Sequence, residues 1–346
     1  MHSSLPKPLH RLCGRPMVAH VIDSLADLDV DRVVVVVGHG ADQVIKTVTH
    51  YAPPGITVDF VEQRVQRGTG DATMVALTAF TKGHDNDDVV VLPGDTPLLR
   101  PASLVDLVAT HRSREAGVTL LTADLADPTG YGRIVRGNDG RVARVVEHID
   151  ASDEQREIHE VNTSIYCFQR NLLSPSLRRL GTQNAQGELY LTDVVEFLFD
   201  AGYTTHSMTV ADSMEAAGVN DRAQLAVAEA ELRDRINATW MRRGVTMWDP
   251  ERTYVDASVH IEPDVVLLPG TMLRGTTSVG SGAEIGPNAI LEDVAVGAKV
   301  TIGTVHVRHV TIGDGATIDS FSVVTPGTVI AGGARVEATG SLTQGI

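Results

Sequence analysis

The chain has 346 residues, 42% of them hydrophobic, and a formal net charge of −15. A phosphate backbone or an anionic membrane is bound through clustered Lys and Arg, so this balance argues against a general nucleic-acid or anionic-membrane binder. The length suggests about two domains; no apolar run approaches the ~20 residues of a membrane span, Met1-His2-Ser3-Ser4-Leu5-Pro6-Lys7 has no signal-peptide core, and the expectation is a cytoplasmic globular protein. Cys13 and Cys167 show neither metal spacing nor a paired framework and read as ordinary buried thiols in a reducing compartment.

In chain order, Met17 to Leu28 is an amphipathic segment with no strand before it. Arg32-Val33-Val34-Val35-Val36-Val37 then reads as a buried strand closed by Gly38-His39-Gly40. A second such run, Val89-Val90-Val91-Leu92, ends in Pro93-Gly94-Asp95-Thr96-Pro97 and reads as a fully buried, parallel strand whose carboxyl end delivers one carboxylate. Open α/β sheets bind ligands at such strand ends, which makes Asp95 the first candidate for chemistry; on spacing alone it could equally start a turn before Pro97. Helical stretches at Asp42 to Val48, Thr73 to Phe80 and Ala102 to His111 alternate with these strands, giving an α/β class with a mixed, mostly parallel sheet.

Three irregular stretches interrupt the rhythm. Gln63 to Gly70, with Arg64, Arg67 and Gly68-Thr69-Gly70, precedes a helix, so its glycines can let backbone N–H groups approach an anion; alone, a Gly-Thr-Gly is weak evidence. Gly130-Tyr131-Gly132-Arg133 shapes a close turn and fits a surface hairpin as well. Glu147 and Asn162, the latter ahead of a strand at Ile165 to Phe168, are residue types that grip sugar hydroxyls and amides, and as isolated residues are more often exposed.

Asp221 to Arg243 is helical by pattern, with Leu225, Leu232, Ile236 and Trp240 on one stripe, and Gly244 stops it. Beyond it Val255, Ile261, Leu267, Leu273, Val279, Ile285 and Leu291 recur every six residues. A break bridged by Val296 and Ile302 follows, and the frame resumes at Ile312, Ile318, Val324, Ile330, Val336 and Leu342. A hexapeptide period of aliphatic and small residues marks a β-solenoid in which each aliphatic points inward. The expected organisation is an α/β domain over 1–222, a linker helix over 223–244 and a solenoid over 245–346.

Leu5-Pro6-Lys7, Gly14-Arg15-Pro16-Met17, Gln63 with Gly68-Thr69-Gly70, Gly94-Asp95-Thr96-Pro97-Leu98, Gly130-Tyr131-Gly132-Arg133-Ile134, Val146-Glu147, Asn162-Thr163, Gln186-Gly187-Glu188-Leu189-Tyr190-Leu191-Thr192-Asp193 and Gly218-Val219-Asn220 stand in this order ahead of the hexapeptides. In that combination the chain closely resembles the bifunctional N-acetylglucosamine-1-phosphate uridylyltransferase/glucosamine-1-phosphate acetyltransferase family. The resemblance implies a Rossmann-like, GT-A-like nucleotidyltransferase domain followed by a left-handed parallel β-helix. It also implies Mg²⁺-dependent formation of UDP-N-acetylglucosamine and pyrophosphate from UTP and N-acetylglucosamine 1-phosphate, in a cytoplasmic homotrimer assembled through the β-helix. By the same match Lys7 contacts the UTP phosphates, Gln63, Gly68 and Thr69 hold the nucleotide, Asp95 and Asn220 bind Mg²⁺, with Asn220 also touching the sugar nucleotide, and Gly132, Glu147 and Asn162 hold N-acetylglucosamine. Tyr190, Thr192 and Asp193 lie in a matching motif without an expected direct role.

The chain departs from the family pattern in three ways. The family opens with a strand and a Leu-Ala-Ala-Gly-x-Gly-Thr-Arg-Met loop, and Met1 stands where that loop's methionine falls. The expectation is a start codon assigned inside a longer gene, with a truncated paralogue as the alternative, and poor folding of the chain as written because two strand edges lack their neighbour. Asp71 stands where histidine is usual, Ser164 where glycine is, and Asp221 where a second asparagine is. The His-Leu-Thr-Tyr and Asn-Tyr-Asp-Gly motifs of the acetyltransferase half do not occur, and His306 and His309 read as exposed turn residues, so acetyl transfer is not expected. The alternative to a uridylyltransferase is a non-catalytic sugar-nucleotide-binding paralogue or scaffold; an acyltransferase ranks last.

Overall fold

The computed structural model describes residues 1–53, 55–80 and 87–338; Leu342 of the hexapeptide frame lies outside them. The chain divides into two compact units, one of Met1–His10 with Pro16–Gln224 and the other of Arg11–Arg15 with Leu225 onward. Among the described residues no helix is long and apolar enough to cross a membrane.

The first unit is α/β. Helix α1 (Met17–Asp23) ends before the expected Leu28, where the Ser24 hydroxyl donates to the Val21 carbonyl at 2.6 Å. Strand β1 (Arg32–Val37), helix α2 (Ala41–Tyr51) and strand β2 (Thr57–Glu62) follow, and β1 and β2 form a parallel two-stranded sheet. Next come helix α3 (Thr69–Leu77), strand β3 (Asp88–Val91) and helix α4 (Pro101–Ser113). Pro101 opens α4, where its fixed φ suits a first turn, and Leu104, Leu107 and His111 form its buried stripe.

Strands β4 (Val118–Asp124), β5 (Arg133–Arg136), β6 (Val142–Val146), β7 (Glu160–Gln169) and β8 (Thr205–Thr209) complete a mixed sheet with β3. Its hub is β7, which runs antiparallel to β3 on one side (Val91 opposite Tyr166), to β4 on the other (Leu121 opposite Ile165), and to β5 at its start (Arg133 opposite Val161). Helices α5 (Arg170–Leu177) and α6 (Asp193–Asp200) pack on this sheet through Leu173, Leu177, Val194, Val195 and Leu198, all buried with Val118, Leu120, Tyr166 and Phe168.

The first valine run is parallel but less buried than expected, and the second departs from the expected fully buried, parallel strand in both respects. Val33 to Val36 and Val89 to Val91 are half-buried, and β3 has antiparallel β7 as its sheet partner rather than a parallel one. Among the described residues each run is paired along one edge, and both runs line a cavity of ≈ 1520 Å³. That open side is why the valines keep solvent exposure.

The register of β7 against β4 shifts between Leu121 and Thr122, so Thr163 and Ser164 form a bulge. The Thr163 hydroxyl donates to the Leu121 carbonyl at 2.7 Å, and Ser164 adopts φ +62°. The left-handed region crowds Cβ against the carbonyl, which explains why glycine suits this position.

The second unit holds helix α7 (Arg222–Arg242) from Leu225 onward and the solenoid. On the helix Trp240 is buried while Leu225, Leu232 and Ile236 are half-buried, and Asn237, 1% exposed, donates to the Pro250 and Thr253 carbonyls at 2.9 Å each. Short parallel strands then stack in three sheets, so that Val255 lies beside Leu273, Ile261 beside Val279 and Leu267 beside Ile285. The expected inward aliphatics from Val255 to Ile318 form one continuous core.

The break in the repeat has a simple cause. Leu291 stacks on Val307 and Ile302 on Ile318, each two residues closer in sequence than a full three-hexapeptide coil. Val307, fully buried, is the inward position that the six-residue count passed over. Asp293 and His309 turn the shortened corners at φ +54° and +52°. His309 is therefore an exposed corner residue, whereas His306 is exposed on a strand, not in a turn. Val324 packs against the core without entering a strand.

Ile285, fully buried, and Val329, 76% exposed, separate core from surface in the solenoid. Chemical denaturation is expected to show a loss of about 2–5 kcal/mol for Ile285→Ala, with its cavity, and a change within about 0.5 kcal/mol for Val329→Ala. In the first unit, Ser164→Gly is expected to raise stability by about 0.5–1 kcal/mol, since the relief of left-handed strain exceeds glycine's added chain entropy. A lowered denaturation midpoint for that variant would contradict the strain at the bulge.

Candidate active site

Beyond β3 the chain turns through Pro93 and Gly94, and Asp95 stands at the edge of a pocket of ≈ 190 Å³. Asp95, Gly130, Tyr131, Gly132, Glu147, Asn162 and Asn220 are among its lining residues. Lys7 reaches it from a short 3₁₀ turn, Lys7–Leu9, which Leu9 anchors in the apolar cluster around α2. The Lys7 ammonium donates to Asp95 Oδ2 and, at 2.6 Å, to Asn220 Oδ1. Residues far apart in sequence thus meet on one cation.

Asn220 is delivered by a segment tied down twice. The Val219 N–H donates to the Asp95 carbonyl at 2.9 Å. Earlier in the segment Glu215, 4% exposed, accepts from the Ser103 hydroxyl and from the Arg100 N–H at 3.4 Å. Its carboxylate lies at the amino end of α4, where the helix dipole and unpaired N–H groups favour negative charge. Nothing in Ser213-Met214-Glu215-Ala216 marks this role; it exists only because the segment folds back on α4.

Asp95 and Asn220 present a carboxylate oxygen and an amide oxygen to the same positive charge. A hard, oxygen-only donor pair shared by one cation fits Mg²⁺, which prefers oxygen ligands and keeps several waters. The Lys7 ammonium occupies the point between those donors, so the residues present suit a divalent cation.

The opposite wall is built by the β7 bulge. The Asn162 N–H donates to the Gly132 carbonyl at 2.8 Å, so the Gly130–Gly132 turn is fastened to β7. Asn162 Nδ2 donates to the Tyr166 hydroxyl at 2.7 Å and Oδ1 accepts from the Ser164 N–H at 3.3 Å, which fixes the amide's orientation and leaves one N–H for a ligand. A Cβ on Gly132 would stand 3.3 Å from Glu147 Oε2, tighter than ordinary contact, so glycine keeps room beside that carboxylate. Glu147 accepts from the Thr192 hydroxyl at 3.2 Å, and burial pushes its carboxyl above the usual range, with Asp150 and Asp193 adding to the shift.

Gln63, Gly68 and Thr69 form a separate group. Gln63 Nε2 donates to Asp71 Oδ2 at 2.8 Å and to the Gly68 carbonyl at 3.3 Å. The loop is laced to residues 189–191: the Leu189 N–H donates to the Arg67 carbonyl at 2.7 Å, the Gly70 N–H to the Leu189 carbonyl at 2.8 Å, and the Leu191 N–H to Thr69 Oγ1 at 3.1 Å. Gly68, at φ +105°, has room for no Cβ, which would meet the Leu189 carbonyl at 2.6 Å. The structure therefore supplies a use for the Gln186–Asp193 motif: through Leu189, Leu191 and Thr192 it joins the glycine loop to Glu147. None of Gln63, Gly68 and Thr69 lines the smaller pocket; Thr69 shares the larger cavity with Pro93, Glu147 and Thr192.

The nucleotidyl transferase family model matches residues 2–247. The bifunctional protein GlmU of Halalkalibacterium halodurans is 42% identical over 336 residues, 97% of this chain and 72% of that protein. The bifunctional protein GlmU of Mycobacterium tuberculosis is 43% identical over 339 residues, 98% of this chain and 68% of that protein. Among solved structures, a putative glucose-1-phosphate thymidylyltransferase from Bacillus anthracis, in complex with a sucrose, matches with a TM-score of 0.51 at 19% identity over 66% of this chain and 87% of its own, a likeness of fold. With a family model spanning both the α/β unit and the helix after it, and relatives of this identity along nearly the whole chain, the protein belongs to the nucleotidyl transferase family and to its GlmU branch.

Proposed function

We propose that this sugar-1-phosphate nucleotidyltransferase forms UDP-N-acetylglucosamine and pyrophosphate from UTP and N-acetylglucosamine 1-phosphate. The observation that carries the reading is the meeting of Lys7, Asp95 and Asn220 on one side of a pocket whose other side holds Gly132, Glu147 and Asn162. One side suits phosphates and a cation, the other sugar hydroxyls and an amide.

In the reaction a phosphate oxygen of the sugar 1-phosphate attacks the α-phosphorus of UTP and pyrophosphate leaves. Two anions must approach in line, so rate comes from positioning and charge neutralisation rather than from a covalent intermediate. Asp95 and Asn220 would hold Mg²⁺, which would supply charge neutralisation at the phosphates. Lys7 moves its ammonium from Asp95 onto the phosphates as a point charge on a flexible stem. Glu147 accepts hydrogen bonds from sugar hydroxyls, and the remaining Asn162 N–H donates to the sugar. Gln63, Gly68 and Thr69 hold the nucleotide at the start of α3, where the helix dipole favours an anion. The protein works in the cytoplasm, and its solenoid assembles three copies.

The test is pyrophosphate release from UTP and N-acetylglucosamine 1-phosphate, dependent on Mg²⁺ and lost on chelation. Asp95→Ala is expected to lower kcat by at least about 100-fold, the scale for removing a group that stabilises transition-state charge. No release by the wild-type protein, or an undiminished rate in Asp95→Ala, would sink the assignment.

Glu147 gives a second test. Removing its charge is expected to raise KM for the sugar phosphate by about 10–100-fold, the scale of a hydrogen bond to a charged group, with kcat less affected. Its folded pKa lies above the unfolded value because of burial. Its contribution is therefore fully present below the unfolded carboxylate pKa and lost as pH rises through the folded one. The melting temperature of Glu147→Gln relative to wild type is thus expected to climb as pH rises out of the ordinary carboxylate range.

A further inference from the structure

At the other end of β3 from Asp95 lies a second group of chemistry-bearing side chains that the reaction does not use. Asp88 opens β3, His111 sits in the last turn of α4, and Cys167 lies in β7, opposite both Val90 of β3 and Thr119 of β4. A carboxylate oxygen, an imidazole nitrogen and the thiol sulfur of the three lie within 4.8 Å of one another. His111 is 2% exposed and Cys167 fully buried.

The telling atom is His111 Nε2. The ring's Nδ1 is 3.0 Å from Thr119 Oγ1, which fixes the imidazole plane. Nε2 points into the cluster, buried and without a hydrogen-bond partner. Its neighbour Asp88 Oδ1 stands 3.5 Å away, beyond the length of a normal hydrogen bond. A buried nitrogen left unsatisfied beside a thiol and a carboxylate costs free energy unless something binds it.

We propose that Asp88, His111 and Cys167 form a binding site for a thiophilic divalent cation, Zn²⁺ in chemistry, distinct from the Mg²⁺ site at Asp95. One sulfur, one imidazole nitrogen and one carboxylate oxygen are the donor types Zn²⁺ takes, with water completing a four-coordinate set. The outer contacts are those a metal site needs: Thr119 orients the imidazole, and Arg112 Nε holds the second carboxylate oxygen, Asp88 Oδ2, at 2.6 Å. Asp88, His111 and Arg112 all line the ≈ 1520 Å³ cavity, which gives the ion its path and the water its place. On binding, the Cys167 S–H bond breaks, the sulfur's electron pair goes to the metal and the proton to solvent; no electron is transferred. The ion ties β3, β7 and α4 together, so its effect is on stability, not on the transfer reaction.

The experiment titrates the full-length protein, freed of metal by chelator and dialysis, with Cd²⁺ alone. The expected result is a thiolate-to-cadmium charge-transfer absorption that saturates at one equivalent, is displaced by Zn²⁺, disappears in Cys167→Ser and persists in Cys13→Ser. Thr119→Val, which fills the same space, is expected to weaken binding by about 10–100-fold, as loss of an outer-shell partner does. A rise in melting temperature on adding Zn²⁺ should appear in wild type and be lost in His111→Gln. Absence of the absorption in wild type, or its survival in Cys167→Ser, would overturn the proposal. So would a Zn²⁺-induced rise in melting temperature that is as large in His111→Gln as in wild type.

Discussion

The pairing of β7 with strands on both sides is the constraint on which the α/β unit depends. An antiparallel strand between β3 and β4 brings two chain directions to the same edge of the sheet. The carboxyl end of β3 and the amino end of β7 therefore meet, and Asp95 comes to share a pocket with Asn162. The bulge at Thr163–Ser164 turns the start of β7 so that Asn162 faces Gly132 and Tyr166. In a sheet of parallel strands alone, these ends would lie a strand's length apart.

Once that edge exists, loops far apart in sequence are held to it by single polar contacts. Glu215 at the start of α4 holds the segment that carries Asn220. The Leu189–Thr192 backbone and hydroxyl groups bind the glycine loop on one side and Glu147 on the other. These are positioning residues: they touch neither proposed phosphate nor proposed sugar, yet they fix the backbone from which the contacting groups project. Buried polar groups with satisfied partners are well suited to this, since moving them leaves donors and acceptors unpaired.

The solenoid obeys a different constraint. Each coil buries its aliphatics only against the coil before and after it, so the pattern has to be local and repetitive. Corners can lose a residue without disturbing the stack, because a residue such as Asp293 or His309 takes up a left-handed turn. Stacking of Leu291 on Val307 survives the shortened coil. That is why a count of six drifts through this region while the core remains continuous.

What the sequence determined by itself follows from the range of the interactions involved. The hexapeptide period, the helix ending at Gly244 and the strand closing on Asp95 are local patterns of side-chain volume and backbone freedom, and they can be read without knowing any long-range partner. The grouped motifs also located the residues that line the pocket, although spacing could not say that Lys7 and Asn220 converge on one carboxylate. Tertiary structure alone decided the rest. Whether Val89 to Val91 are fully buried depends on which strands lie beside them, Glu215 acquires a role only through α4, and His111 and Cys167 meet only because a helix packs over two neighbouring strands. These outcomes depend on contacts between distant segments, and such contacts leave no periodic trace in the residues that make them.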